Sequence, residues 1–143
     1  MAESLAVPAH AFTVPFVAGA GTIDALGHVN NAVWVQWIQA VAEAHWAARA
    51  SVAEQARYIW VVVRHAIDYH RPLTLGQSVT AHSWVADRAI GAKFDRNIVF
   101  IGNNGLRHVT ALTTWALVDR ASGRPIRVPA AMVEAFSLGL SHS

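Results

Sequence analysis

An acid, a glycine, a histidine and two asparagines fall within eight positions, Asp24 to Asn31, in the run D-A-L-G-H-V-N-N. A carboxylate there can attack a carbonyl carbon or take a proton from water, and an imidazole four residues on can share in that proton traffic. Asn31 can orient a water. These residue types also have ordinary uses, because Asp shapes glycine-containing loops and Asn caps helices. Alone, Asp24 reads as a turn former; followed by G-H-V-N-N it reads as a reactive carboxylate, with His28 and Asn31 as its companions.

The next element positions this cluster. Trp34, Trp37, Ile38, Val41 and Ala48 recur at steps of three and four, which predicts a long helix running to Arg49. Gln36, Gln39 and Glu43 form only a narrow polar line, so the helix is expected to be wrapped by other structure, with Glu43 ending a polar stripe at an interface. Asn30 or Asn31 is expected to cap its start, and the N–H groups near Asn31 to Val33, at the positive end of the helix dipole, would hold an oxyanion. An acid placed against this apolar helix would have its pKa raised by desolvation.

The rest of the chain changes period. His10–Val17 reads as a first strand, placed at a sheet edge by Pro15. After the helix come four β-branched and aromatic runs, Tyr58–Arg71, Ser78–Asp87, Ala92–Ile101 and Leu106–Asp119, separated by P-L-T-L-G, R-A-I-G and G-N-N-G turns. Pro129–Phe136 reads as a short terminal helix. The order predicts an α+β domain spanning residues 1–143, one antiparallel sheet curled around one long helix.

Composition narrows the function classes. With 54% hydrophobic and 14% charged residues, part of the surface is expected to be covered by another copy, as a homodimer or homotetramer. The formal charge of +2 without a Lys/Arg cluster argues against nucleic acid as a partner. No apolar run reaches the length of a membrane span, and M-A-E-S-L-A-V-P lacks a secretory signal pattern, so neither membrane association nor export is expected and a cytoplasmic location is. Zero cysteines leave no thiolate nucleophile or Cys-ligated zinc. The eight histidines form no metal-ligand spacing, and His65 and His70, five apart on a strand, are expected on opposite faces, so no metal or cofactor is expected.

The segment I-D-A-L-G-H-V-N-N-A-V-W, followed by V-V-V-R-H-A-I-D-Y-H-R-P-L-T-L-G-Q-S-V, resembles the hotdog-fold acyl-CoA thioesterases of the 4-hydroxybenzoyl-CoA thioesterase type, and also their acyl-carrier-protein thioesterase relatives. The likeness runs from about His10 to Leu117. It implies a sheet wrapped around a central helix, dimers joined edge to edge, active sites at the dimer interface, and an acyl-CoA or acyl-carrier-protein substrate. It also implies that Asp24 is the main catalytic carboxylate and that His28 takes part. Asn31 stands where some relatives carry a histidine, Leu26 where others carry an asparagine, and Gln39 where a glutamate is common.

Substrate contacts are expected from Gly27 in the loop, Val33 in the first helical turn, and Trp34 and Trp37 as walls of an acyl pocket, though six tryptophans serve first as core or interface. Arg88, Lys93 and Arg96 flank one turn and would grip the phosphates of coenzyme A, unless they form an ordinary solvated turn. Two other readings compete with hydrolysis. One is a 3-hydroxyacyl thioester dehydratase, whose histidine is typically followed by a proline- and glycine-rich segment where this chain has V-N-N. The other is a non-catalytic acyl-CoA-binding module, which usually accompanies a DNA-binding segment.

Overall fold

The computed structural model describes residues 5–137. Its strands are β1 (Phe12–Val17), β2 (Tyr58–Tyr69), β3 (Ser78–Val85), β4 (Lys93–Gly102) and β5 (Arg107–Asp119), and its helices are α1 (Asn31–Arg49), α2 (Val52–Arg57) and α3 (Ala130–Ser137). The strands form one antiparallel sheet in the order β1-β3-β4-β5-β2. The hairpin-linked β3, β4 and β5 make the centre, and the first two strands of the chain become the two edges. Pro15 sits opposite Thr80 on edge strand β1, where a missing N–H leaves the rest of the ladder intact.

Helix α1 has the expected bounds, and its N-cap is Asn30, whose side chain accepts from Ala32 N at 2.9 Å. Trp34, Ile38 and Val41 pack with Val79, Ala81, Ile98, Phe100, Val109 and Ala111 of the sheet. A second cluster, at the other end of the sheet, joins Tyr58, Val85, Phe94 and Leu117 to Val128, Met132 and Phe136 around α3. This arrangement of helix against sheet is the α+β hotdog architecture implied by the resemblance.

Three expectations change. The buried stripe of α1 turns through Ala42 and His45, while Ala48 is exposed. His45 is 2% exposed because Phe12 stacks on it at 4.6 Å, Phe136 meets it edge-on at 5.0 Å, and Arg96 Nη1 lies 2.9 Å from its Nδ1. Strand β2 stops at Tyr69, so His70 lies beyond it, and a register shift between Val62 and Arg64 interrupts its alternation. Helix α2 was absent from the expected element order although its signal is present: Ser51 Oγ accepts from Glu54 N and Glu54 Oε1 from Ser51 N, a reciprocal capping box. Among the described residues no helix is long and apolar enough to cross a membrane.

Candidate active site

The Asp24 loop is a tight hairpin. Asp24 N donates to His28 O at 2.8 Å and Gly27 N to Asp24 O at 3.0 Å, and Gly27 adopts φ 81°. This is a three-residue connection with a glycine in the left-handed region. The bridge between Ile23 and Val29 closes its base. Asp24 Oδ1 accepts from Leu26 N at 2.9 Å and His28 N at 3.1 Å, whereas Oδ2 has no hydrogen-bond partner among the described residues. One carboxylate oxygen thus fixes the loop and leaves the other available.

The loop is docked on the segment after β2. Val29 N donates to Leu73 O at 2.8 Å, and His28 bridges Thr74. The result is a cavity of about 440 Å³ bordered by Asp24, Leu26, His28, Val29, Asn30, Asn31 and Trp34 on one side and Tyr69, His70, Arg71 and Pro72 on the other. His70 is held by a 2.8 Å contact between Nε2 and Thr110 Oγ1, and Arg71 by its Nη1 donating to Arg107 O. Arg71 therefore stands in the pocket as an anchored cation.

The expected site residues divide. Asp24, His28, Asn31 and Trp34 border this cavity, although Trp34 is only 2% exposed and also serves the core. Gly27 does not border it, and its N–H is spent on the turn. The oxyanion donors expected over Asn31 to Val33 are fewer than the pattern implies. Ala32 N is capped by Asn30 Oδ1 and Val33 N donates to Asn30 O at 2.9 Å, leaving Asn31 N as the first-turn donor of the three with no partner among the described residues. Trp37 packs against Phe16 at 4.9 Å and Trp34 at 5.1 Å, away from the cavity.

The basic trio is also split. Arg88 and Lys93 are exposed around the β3–β4 connection and border neither cavity described in this chain. Arg96 is 5% exposed, with Nη1 donating to Ser83 Oγ at 2.8 Å and contacting His45. Residues 94, 96 and 98 of β4 point inward, so Arg96 cannot share a surface with the other two. The sequence places Tyr69, His70 and Arg71 at the end of a strand closed by the P-L-T-L-G turn, and it is the bond from Val29 N to Leu73 O in that turn that brings them to the Asp24 loop.

The helix-wrapped sheet and the acid-bearing loop at the helix start define a hotdog-fold thioesterase domain. The chain belongs to the Thioesterase-like superfamily, whose sequence profile matches residues 18–136. Among solved structures it is similar to an acyl-ACP thioesterase from Bacteroides thetaiotaomicron, with TM-score 0.77 and 23% identity over 87% of this chain. The chain spans about half, 52%, of that protein's length. It is similar to a thioesterase from Thermus thermophilus complexed with coenzyme A and zinc, with TM-score 0.75 and 24% identity over 87% of this chain and 90% of that one. A 1,4-dihydroxy-2-naphthoyl-CoA thioesterase from Synechocystis matches with TM-score 0.76 and 14% identity over 93% and 99% of the two chains. The comparison with curated proteins finds no match.

Proposed function

We propose that this thioesterase hydrolyses acyl-CoA esters at the Asp24 pocket, working as a homodimer paired along β2. The observation that carries the reading is the divided carboxylate of Asp24, with Oδ1 tied to two backbone N–H groups and Oδ2 without a partner beside His28 and Asn31. Through Oδ2 the acid would take a proton from an attacking water or attack the thioester carbonyl itself. The developing oxyanion would meet Asn31 N at the positive end of α1. Arg71 would face the phosphate-bearing end of the ester, a role that charge and position give it ahead of Arg88 and Lys93. The coenzyme A bound by the Thermus relative supports CoA as the carrier; acyl-carrier-protein esters are the alternative.

The test is thiol release from a panel of short, long and aromatic acyl-CoA esters. With no cysteine in the chain, a thiol reagent sees no background from the protein. The expected result is turnover of part of the panel and a fall in kcat of roughly 10² or more in Asp24→Asn. Equal activity in the variant would remove Asp24 from the chemistry. No turnover of any CoA ester would move carrier-protein esters or simple acyl-CoA binding ahead.

A further inference from the structure

A second cavity, about 360 Å³ in volume, lies beneath the C-terminal half of α1 and shares no bordering residue with the Asp24 pocket. Its walls are largely aromatic: Trp46, Trp60, Phe94, Trp115 and Phe136. Their rings meet at mixed angles, Trp46 stacked on Phe136 at 5.8 Å, edge to face with Trp60 at 6.0 Å, and Phe94 edge-on to Phe136 at 6.0 Å. A wall of this kind accepts a flat unsaturated body by face and by edge. The volume lies within the range of about 300–1,000 Å³ that small-molecule sites occupy.

Arg96 supplies the polar end. Both of its hydrogen bonds among the described residues, to His45 Nδ1 and Ser83 Oγ, use Nη1, and its guanidinium carbon lies 5.4 Å from the Phe136 ring centroid. No carboxylate lies within ion-pair distance of it among the described residues. Its Nε and Nη2 have no hydrogen-bond partner there, and Arg96 borders the cavity. Those two nitrogens form the side of the guanidinium that matches a carboxylate with two parallel bonds. A buried cation without a counter-charge is unfavourable, and an anionic ligand would relieve it. The other charged groups of the wall are engaged elsewhere or sit at its mouth. Asp95 Oδ1 accepts from Thr114 Oγ1, Arg120 Nε donates to the carbonyls of Gln55 and Tyr58, and Glu43 is exposed. The Trp60 indole N–H also has no acceptor among the described residues.

We propose that this cavity is a binding site for a flat aromatic or conjugated carboxylate, its anionic end clasped by Arg96 Nε and Nη2 and its body packed among the tryptophans and Phe136. The site does not depend on thioester hydrolysis: a chain that turned over no ester would still bind the acid.

The experiment titrates the unaltered protein with 2-naphthoate and with 2-naphthamide, by calorimetry and by tryptophan fluorescence. The expected result is saturable binding of the acid at one site per chain, roughly tenfold or more tighter than the uncharged amide, the margin that a charged hydrogen bond supplies. Arg96→Met, checked for folding by circular dichroism, should weaken the acid to the level of the amide. The proposal is overturned if the acid does not saturate, if acid and amide bind alike, or if folded Arg96→Met binds the acid as the parent does. The acid–amide comparison needs no variant, so it decides even if Arg96→Met fails to fold.

Discussion

Asp24 and His28 are joined twice, once through the backbone, Asp24 N to His28 O at 2.8 Å, and once through the side chain, His28 N to Asp24 Oδ1 at 3.1 Å. The acid therefore holds its own loop, and the two uses of Asp24 can be separated by substitution. Asparagine keeps an oxygen to accept from Leu26 N and His28 N but loses the negative charge. Asp24→Asn should match the parent in melting temperature while losing turnover, whereas Asp24→Ala should lose turnover and also roughly 1 kcal/mol of stability. Thermal denaturation of the three proteins checks this, and an equal melting loss in both variants would place the charge itself in the fold.

Gly27 makes the hairpin possible through its positive φ. A Cβ added there meets no atom within 4 Å, so the whole penalty of Gly27→Ala is conformational. Left-handed backbone costs an L-residue about 1–2 kcal/mol. Urea denaturation should show a destabilisation of that size, and turnover should fall as well because the loop that aims Asp24 is strained. Unchanged stability would mean that the loop adopts another conformation.

Arg71 is the arginine that borders the Asp24 pocket, anchored by its bond to Arg107 O. If it faces the phosphates of coenzyme A, Arg71→Gln should raise KM several-fold for CoA esters and change kcat little, the pattern of lost uniform binding. Steady-state kinetics with one ester decide it. A loss confined to kcat would place Arg71 nearer the reacting carbonyl.

The bounds of α1 and the succession of four strands were readable because proline and glycine turns punctuate clear 3.6- and 2-residue periods. The partners of the site were not. Tyr69 to Pro72 reach Asp24 only through pairings such as Val29 N to Leu73 O, which join segments more than forty residues apart. The helical spacing does not mark His45 as core, because its burial depends on Phe12 of β1 and Arg96 of β4. Arg96 was grouped with Arg88 and Lys93 by nearness in sequence, although the alternation of Phe94, Arg96 and Ile98 was enough to send it inward.

Burial first, then Arg96, Arg49 and His10, hold the His45 pKa down to about 3, against 6.5 for an ordinary imidazole, while the Phe136 backbone pulls the other way. The unfolded chain thus binds a proton that the folded chain refuses. The His45 contribution to stability is complete above pH 6.5 and declines as pH falls towards 3, at up to about 1.4 kcal/mol per unit. Burial lowers His65, His82 and His108 as well, so the parent alone cannot isolate His45. The stability gap between parent and His45→Gln, measured in urea at pH 7, 6 and 5, should narrow as the solution is acidified. A constant gap would mean that His45 titrates alike in the folded and the unfolded chain.

Strand β2 runs twelve residues along one edge of the sheet and exposes Ile59, Val61 (44%) and Val63 (50%) in alternation. A long apolar edge with unpaired backbone groups recruits another strand unless charge or proline blocks it. Here the most direct partner is β2 of a second copy, which would continue the sheet across the dimer. Replacing Val61 and Val63 together by lysine places two like charges on each copy at that seam and leaves the buried face of the strand unchanged. Sedimentation should find the parent dimeric and the double variant monomeric with its circular dichroism intact. If the Asp24 pocket is completed across the seam, the monomer should also lose turnover. A parent that sediments as a monomer with full activity would end both the dimer proposal and the shared site.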